Sequence, residues 1–134
     1  MNRYHLSLPS LTTSIIHVEP FIRSIKELRL LNPDRYHDML VATTEAVNNA
    51  IIHGNALNPE KPVLIDVQTG SNEAIIVIQD NGHGFDPESV PDPRLPENIL
   101  REGGRGVFLI KHLADSVEFN VTSGGTAVML KYYF

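Results

Sequence analysis

The sequence predicts an α+β sandwich: one mixed or antiparallel sheet with helices on one face. Three observations carry that prediction. Residues 33–54 read as a helix whose apolar side chains Leu40, Val47 and Ile51 recur at i, i+7 and i+11, the spacing of one buried face. Residues 63–68 alternate in the β manner, and 74–78 form a short apolar run, as in a strand central in a sheet or covered on both faces. The elements come in the order strand, two helices, two strands, long loop, helix, two strands.

Composition narrows the function classes. A chain of 134 residues is expected to form one domain, 1–134, large enough for two packed layers. Its net charge of −5 argues against a general nucleic-acid or anionic-membrane binder. It has no cysteine, so disulfides and thiolate metal sites are excluded. No signal-peptide pattern or membrane-length apolar run is read, and a cytoplasmic domain is the expectation. There is no internal repeat or low-complexity tract.

Taken in order, residues 5–9 alternate and stop at Pro9, which suits a short edge strand. Thr12, Thr13 and Ser14 offer N-caps for a helix to about Leu31, with Ile15, Val18, Ile22, Ile25 and Leu28 on one face. Pro20 requires that its regular part start near Val18 or kink early. Asn32-Pro33-Asp34 caps the second helix, and Gly54 ends it as a C-cap glycine. A polar loop over 55–62 leads to the strands at 63–68 and 74–78, joined by a turn at Gly70-Ser71-Asn72. Residues 85–104 carry no sustained period and are rich in proline, glycine and charge. A loop that long in a compact domain is expected to be a lid or disordered. A helix over 107–114 and a hairpin of 117–121 with 126–132 complete the chain.

Four stretches carry candidate chemistry. Glu45 and Asn49 lie four residues apart on the second helix, so they share a face that Ala42, Ala46 and Ala50 keep shallow. The carboxylate can take a proton from a hydroxyl, and the amide oxygen can ligate a hard cation such as Mg²⁺. Alone, the pair also describes a solvated helix face. Asp80 stands where an apolar strand runs into Asn81-Gly82-His83-Gly84, able to offer an acceptor to an adenine amino group, though an Asp-Asn-Gly turn reads the same way. Gly103-Gly104-Arg105-Gly106 at a helix start has the free N–H groups and dipole end of a phosphate cradle, or of a plain entry turn. It is neither a P-loop nor a dinucleotide fingerprint. Gly124-Gly125-Thr126 is a tight hairpin, or a close backbone approach with one hydroxyl near a ligand.

In this fixed order the stretches resemble the ATPase and kinase superfamily of DNA gyrase, heat-shock chaperone, histidine kinase and mismatch-repair ATPases. The run 45–49 looks like its N box, 80–84 its first glycine box, 104–106 the second, and Gly125-Thr126 the last. Within it, small size and the phrase 45–54 resemble the anti-sigma-factor serine/threonine kinases of bacterial partner switching.

That resemblance implies ATP and Mg²⁺ as cofactors. Glu45 would be the general base and Asn49 the Mg²⁺ ligand, with Asn48 as its competitor. Asp80 would hold the adenine amino group, shaped by Gly82 and Gly84, with Thr126 near the adenine end. Gly104, Arg105 and Gly106 would meet the phosphates, and His53 and Val107 would be further cofactor-binding residues. Residues 85–104 would be the ATP lid. A small anti-anti-sigma protein would be the substrate, a sigma factor could be sequestered, and neither nucleic acid nor membrane is contacted directly. Proteins of this type are commonly dimers, and the edge at residues 6–8 offers a seam. Two alternatives stand beside this reading: a nucleotide-dependent binding module without transfer, and an ATPase core serving a separate phospho-acceptor protein.

Overall fold

The computed structural model describes residues 1–82, 110, 112–122 and 124–134. Five antiparallel strands form one sheet: β1 (Asn2–Leu8), β2 (Val63–Thr69), β3 (Glu73–Gln79), β4 (Ser116–Thr122) and β5 (Gly125–Tyr133). Their spatial order is β1-β2-β3-β5-β4, so β3 is central and β5 is inserted between β3 and β4. Within β3 only one face is buried: Ala74, Ile76 and Ile78 point into the core, while Ile75 and Val77 stay half-exposed on the other side. The run is apolar because it is central, not because both faces are covered.

The helical layer packs on the buried face. Helix α1 (Val18–Arg23) and helix α2 (Pro33–Asn49) contact each other, and α2 lies on β3 and β5. The start of α2 follows from local chemistry: the Asn32 side chain accepts a hydrogen bond from the Arg35 N–H at 2.9 Å, and Pro33 occupies the first helical position, where its missing N–H costs nothing.

The expected first helix is broken. Its place is taken by a 3₁₀ segment at Thr12–His17, α1, and a second 3₁₀ segment at Lys26–Leu30. Pro20 falls in the first turn of α1, as its missing donor requires. Beyond it, the Ser24 hydroxyl donates to the Phe21 carbonyl at 2.6 Å and Ile25 turns extended. The apolar face survives the breaks, because Val18, Ile22, Ile25 and Leu28 are all fully buried. Burial, not helix continuity, is what the periodicity reported.

The end of α2 also departs from expectation. The helix widens over Ala50–Gly54 into a π turn, with the Asn55 N–H donating to the Ala50 carbonyl at 2.8 Å. Gly54 does not take the left-handed conformation of a C-cap glycine; Ala56 and Leu57 do, at φ 51° and 60°. Glycine is needed at 54 for space, since a Cβ there would stand 2.2 Å from Asp80 Oδ2. Among the described residues, Ile110 and residues 112–113 are helical, and no helix is long and apolar enough to cross a membrane.

Candidate functional site

The exit of β3 is built around Asp80, which is 3% exposed. Its N–H donates to the Thr126 carbonyl at 3.0 Å, which continues the β3–β5 pairing by one residue. Its Oδ1 accepts from the Gly82 N–H at 3.0 Å and from the Thr126 N–H at 3.1 Å. Its Oδ2 lies against Gly54. Among the described residues no cation pairs with this carboxylate. Burying a carboxylate is costly, and among the described residues two backbone donors are what offsets that cost here.

Three glycines make that packing possible. A Cβ on Gly82 would fall 1.5 Å from the Gly54 carbonyl oxygen, and one on Gly125 would fall 2.0 Å from the Asp80 carbonyl oxygen. Gly125 also sits at φ +141°, which L side chains rarely adopt. The end of α2, the exit of β3 and the start of β5 therefore meet backbone to backbone. Beside them Thr126, 2% exposed, buries a hydroxyl that finds no hydrogen-bond partner among the described residues. Among the described residues, a hydroxyl without a hydrogen-bond partner thus stands next to a carboxylate without a cation.

The structure thus joins Asp80, Gly82 and Thr126, which the sequence singled out, in one contact cluster. Glu45 and Asn49 stand on the last turns of α2, the helix that leads to Gly54; roughly 13 Å of helix rise separates Glu45 from Gly54. Asn49 is buried at 8% exposed, whereas Glu45 is half-exposed and lines a groove of about 300 Å³ with Glu19, His37, Leu40, Val41 and Thr44. His53 is exposed. Gly84, Gly104, Arg105, Gly106, Val107 and the expected lid at 85–104 lie outside the described residues. Among the described residues there is no group of three His, Cys, Asp or Glu that could hold a metal.

One residue at this site was not read from the sequence. Asn55, 1% exposed, accepts from the Asn81 N–H at 2.8 Å and donates to Ser10 Oγ and the Lys61 carbonyl, each at 2.9 Å, and the Pro62 carbonyl at 3.2 Å. The sequence signal was a polar loop after a helix, which carries no information about burial.

This fold and site define a histidine kinase-like ATPase domain. The chain matches that family over residues 8–132 and belongs to it. Within it, the chain stands with serine-protein kinases. It is similar to the serine-protein kinase RsbW of Staphylococcus epidermidis, 39% identical over 106 residues that span 74% of this chain and 67% of that one. The serine-protein kinase RsbW of Oceanobacillus iheyensis is 36% identical over 101 residues, 71% of this chain and 64% of that protein. In fold, the chain resembles the structure of the RsbU and RsbW domains of Rv1364c from Mycobacterium tuberculosis. The TM-score is 0.70 at 16% identity, over 98% of this chain and 32% of the other. The mycobacterial sensor histidine kinase MprB is matched over 97% of each chain, with a TM-score of 0.57 and 16% identity.

Proposed function

We propose that this chain is an anti-sigma-type serine/threonine protein kinase that binds Mg-ATP and phosphorylates a serine or threonine of a small antagonist protein. The observation that carries the reading is the buried Asp80 carboxylate beside the Thr126 hydroxyl, the first without a cation and the second without a hydrogen-bond partner among the described residues, in a chain similar to serine-protein kinases over most of its length. Asp80 would accept from the adenine amino group, with Thr126 completing that end of the pocket. The helix rise from Gly54 back to Glu45 separates the adenine end from the end where the γ-phosphate is handed over.

At that second end, Glu45 would receive the proton of the attacking hydroxyl. Its half-exposed position at a groove lets a protein substrate approach it. Asn49, buried one turn further on, would hold Mg²⁺ through its carboxamide oxygen. When bound, the cation neutralises phosphate charge, and positioning does most of the rest. Sequestration of a sigma factor and dimerisation along β1 are compatible with this reading.

The test uses ATP labelled in its γ-phosphate, Mg²⁺ and a panel of candidate antagonist proteins. Wild type should label one of them on serine or threonine. Glu45→Ala should bind ATP as tightly as wild type by calorimetry and lose transfer by about 10²-fold or more. Full transfer by that variant removes Glu45 as the base. Binding without any labelled protein favours a non-catalytic regulator-binding module, and acid-labile label favours a histidine acceptor.

A further inference from the structure

We infer that Asn55 is a positioning residue for base selection, holding the Asp80 carboxylate at the depth where it discriminates a 6-amino from a 6-oxo purine. The inference rests on the reading of Asp80 given above. It begins from three successive backbone N–H groups at the exit of β3. The Asp80 N–H goes to the Thr126 carbonyl, and the Gly82 N–H goes to the Asp80 carboxylate itself. Between them, the Asn81 N–H goes to Asn55 Oδ1 at 2.8 Å. The outer two bonds belong to the sheet and to the turn. The middle one comes from another element, through the side chain of Asn55.

Asn55 has no freedom to do anything else. Its orientation is fixed from both ends, because a donor at Asn81 demands the oxygen and three acceptors at Ser10, Lys61 and Pro62 demand the nitrogen. Ser10, itself fully buried, also donates its hydroxyl to the Lys61 carbonyl. The carboxamide therefore locks together the segment after β1, the loop before β2 and the residue after Asp80. Gly54, immediately before it, supplies the surface on which Asp80 Oδ2 and Gly82 rest. Side chain 55 and backbone 54 together set where the carboxylate stands. A carboxylate that accepts from a 6-amino group rejects a 6-oxo group only while its oxygen is held in place, because rejection comes from acceptors forced to face each other.

A residue that merely braced the core would change stability and weaken all nucleotides alike. A positioning residue changes their ratio. The experiment is calorimetric titration with ATP and ITP, which differ in the purine 6-substituent and in the hydrogen that N1 carries in the 6-oxo base, on wild type, Asn55→Ala and Asn55→Asp. Wild type should prefer ATP. Asn55→Ala should lose about tenfold in ATP affinity with ITP little changed, so that the preference collapses. Asn55→Asp keeps an oxygen for the Asn81 N–H but loses the donors to Ser10, Lys61 and Pro62. It should be less stable than wild type yet retain the preference, and in the ligand-free protein its Asn81 amide should exchange slowly while that of Asn55→Ala exchanges fast. Should Asn55→Ala fail to fold, Asn55→Ser takes its place with the same expected collapse, since its hydroxyl stays near Ser10 and falls short of Asn81. An unchanged ATP-to-ITP ratio in the folded Ala or Ser variant overturns the role of Asn55 alone. A wild type without preference for ATP overturns the reading of Asp80 and this inference with it.

Discussion

Two buried hydroxyls, one at each end of β5, stand without a hydrogen-bond partner among the described residues: Thr126 and Tyr132. Their surroundings differ in kind. Thr126 sits in a cluster made by backbone and glycine, next to a buried carboxylate. Tyr132, fully buried, lies at the end where side chains do the joining. There the Arg35 guanidinium stands 5.5 Å from its ring centroid and donates to Asp115 at 2.6 Å, and Asp115 in turn accepts from the Tyr133 N–H at 2.8 Å. Burial drives the Tyr132 pKa upward, so it stays a neutral phenol. The first end has polar groups left over beside one another, as a binding site does. The second has one leftover hydroxyl, on a ring whose charged neighbours Arg35 and Asp115 already pair with each other.

The sharpest way to break the first end is Gly82→Ala. A methyl group 1.5 Å from the Gly54 carbonyl oxygen must push backbone from backbone, and neither α2 nor β3 can yield cheaply. The expected loss is about 3 kcal/mol or more in a urea melt. A loss below 1 kcal/mol, roughly the size of an ordinary surface change, would show that the exit of β3 is pliable.

The comparison itself is tested by deleting each hydroxyl. Tyr132→Phe should leave stability unchanged or raise it by up to about 1 kcal/mol, with ATP binding untouched, because no bond is lost. Thr126→Val should behave similarly in the ligand-free protein but weaken ATP by roughly three- to tenfold, on the proposed role of that hydroxyl. Equal effects of the two on ATP binding would erase the distinction between the two ends.

The smallest effect lies at the surface, where the Tyr4 hydroxyl donates to Glu27 at 2.6 Å and Asn2 donates to the other oxygen at 2.9 Å. The bond from Tyr4 is the main reason the Glu27 carboxyl is held below its ordinary value of 4.5. A lowered folded pKa means stability that is fully present above the ordinary value and lost as pH falls through the folded one. Stability of wild type and Tyr4→Phe should therefore differ at neutral pH and converge in acid below pH 4.5, read by thermal melts across that range.

The sequence made visible what local chemistry decides. Asn32-Pro33 announces the start of α2 because the cap and the proline act within three residues. The alternation over β2 and the buried positions of the first helical stretch were legible for the same reason. What local pattern cannot report is which distant backbone arrives next to a residue. Gly54 looks like a helix terminator, yet the atom that demands a glycine there belongs to Asp80, 26 positions on. Asn55 looks like loop, and only the arrival of Ser10, Lys61 and Asn81 turns it into a buried brace. The continuity of the first helix was over-read, because a 3.6-residue pattern of burial can be met by short α and 3₁₀ pieces in sequence. Asp80, Gly82 and Thr126 were found by their place in a motif order, and the structure brings them into contact.

The strand order has a consequence for how the protein comes to be made. Because β5 is inserted between β3 and β4, the second edge of β3 stays bare until residues 125–133 have been synthesised. Until then the nascent chain displays Ala74–Ile78 along an unpaired edge, the kind of surface that recruits holding chaperones and seeds aggregation. Asp80 acquires its partner at Thr126 only with β5, 46 residues later in translation. On the ribosome, the surroundings of Asp80 are complete only after β5 has been made.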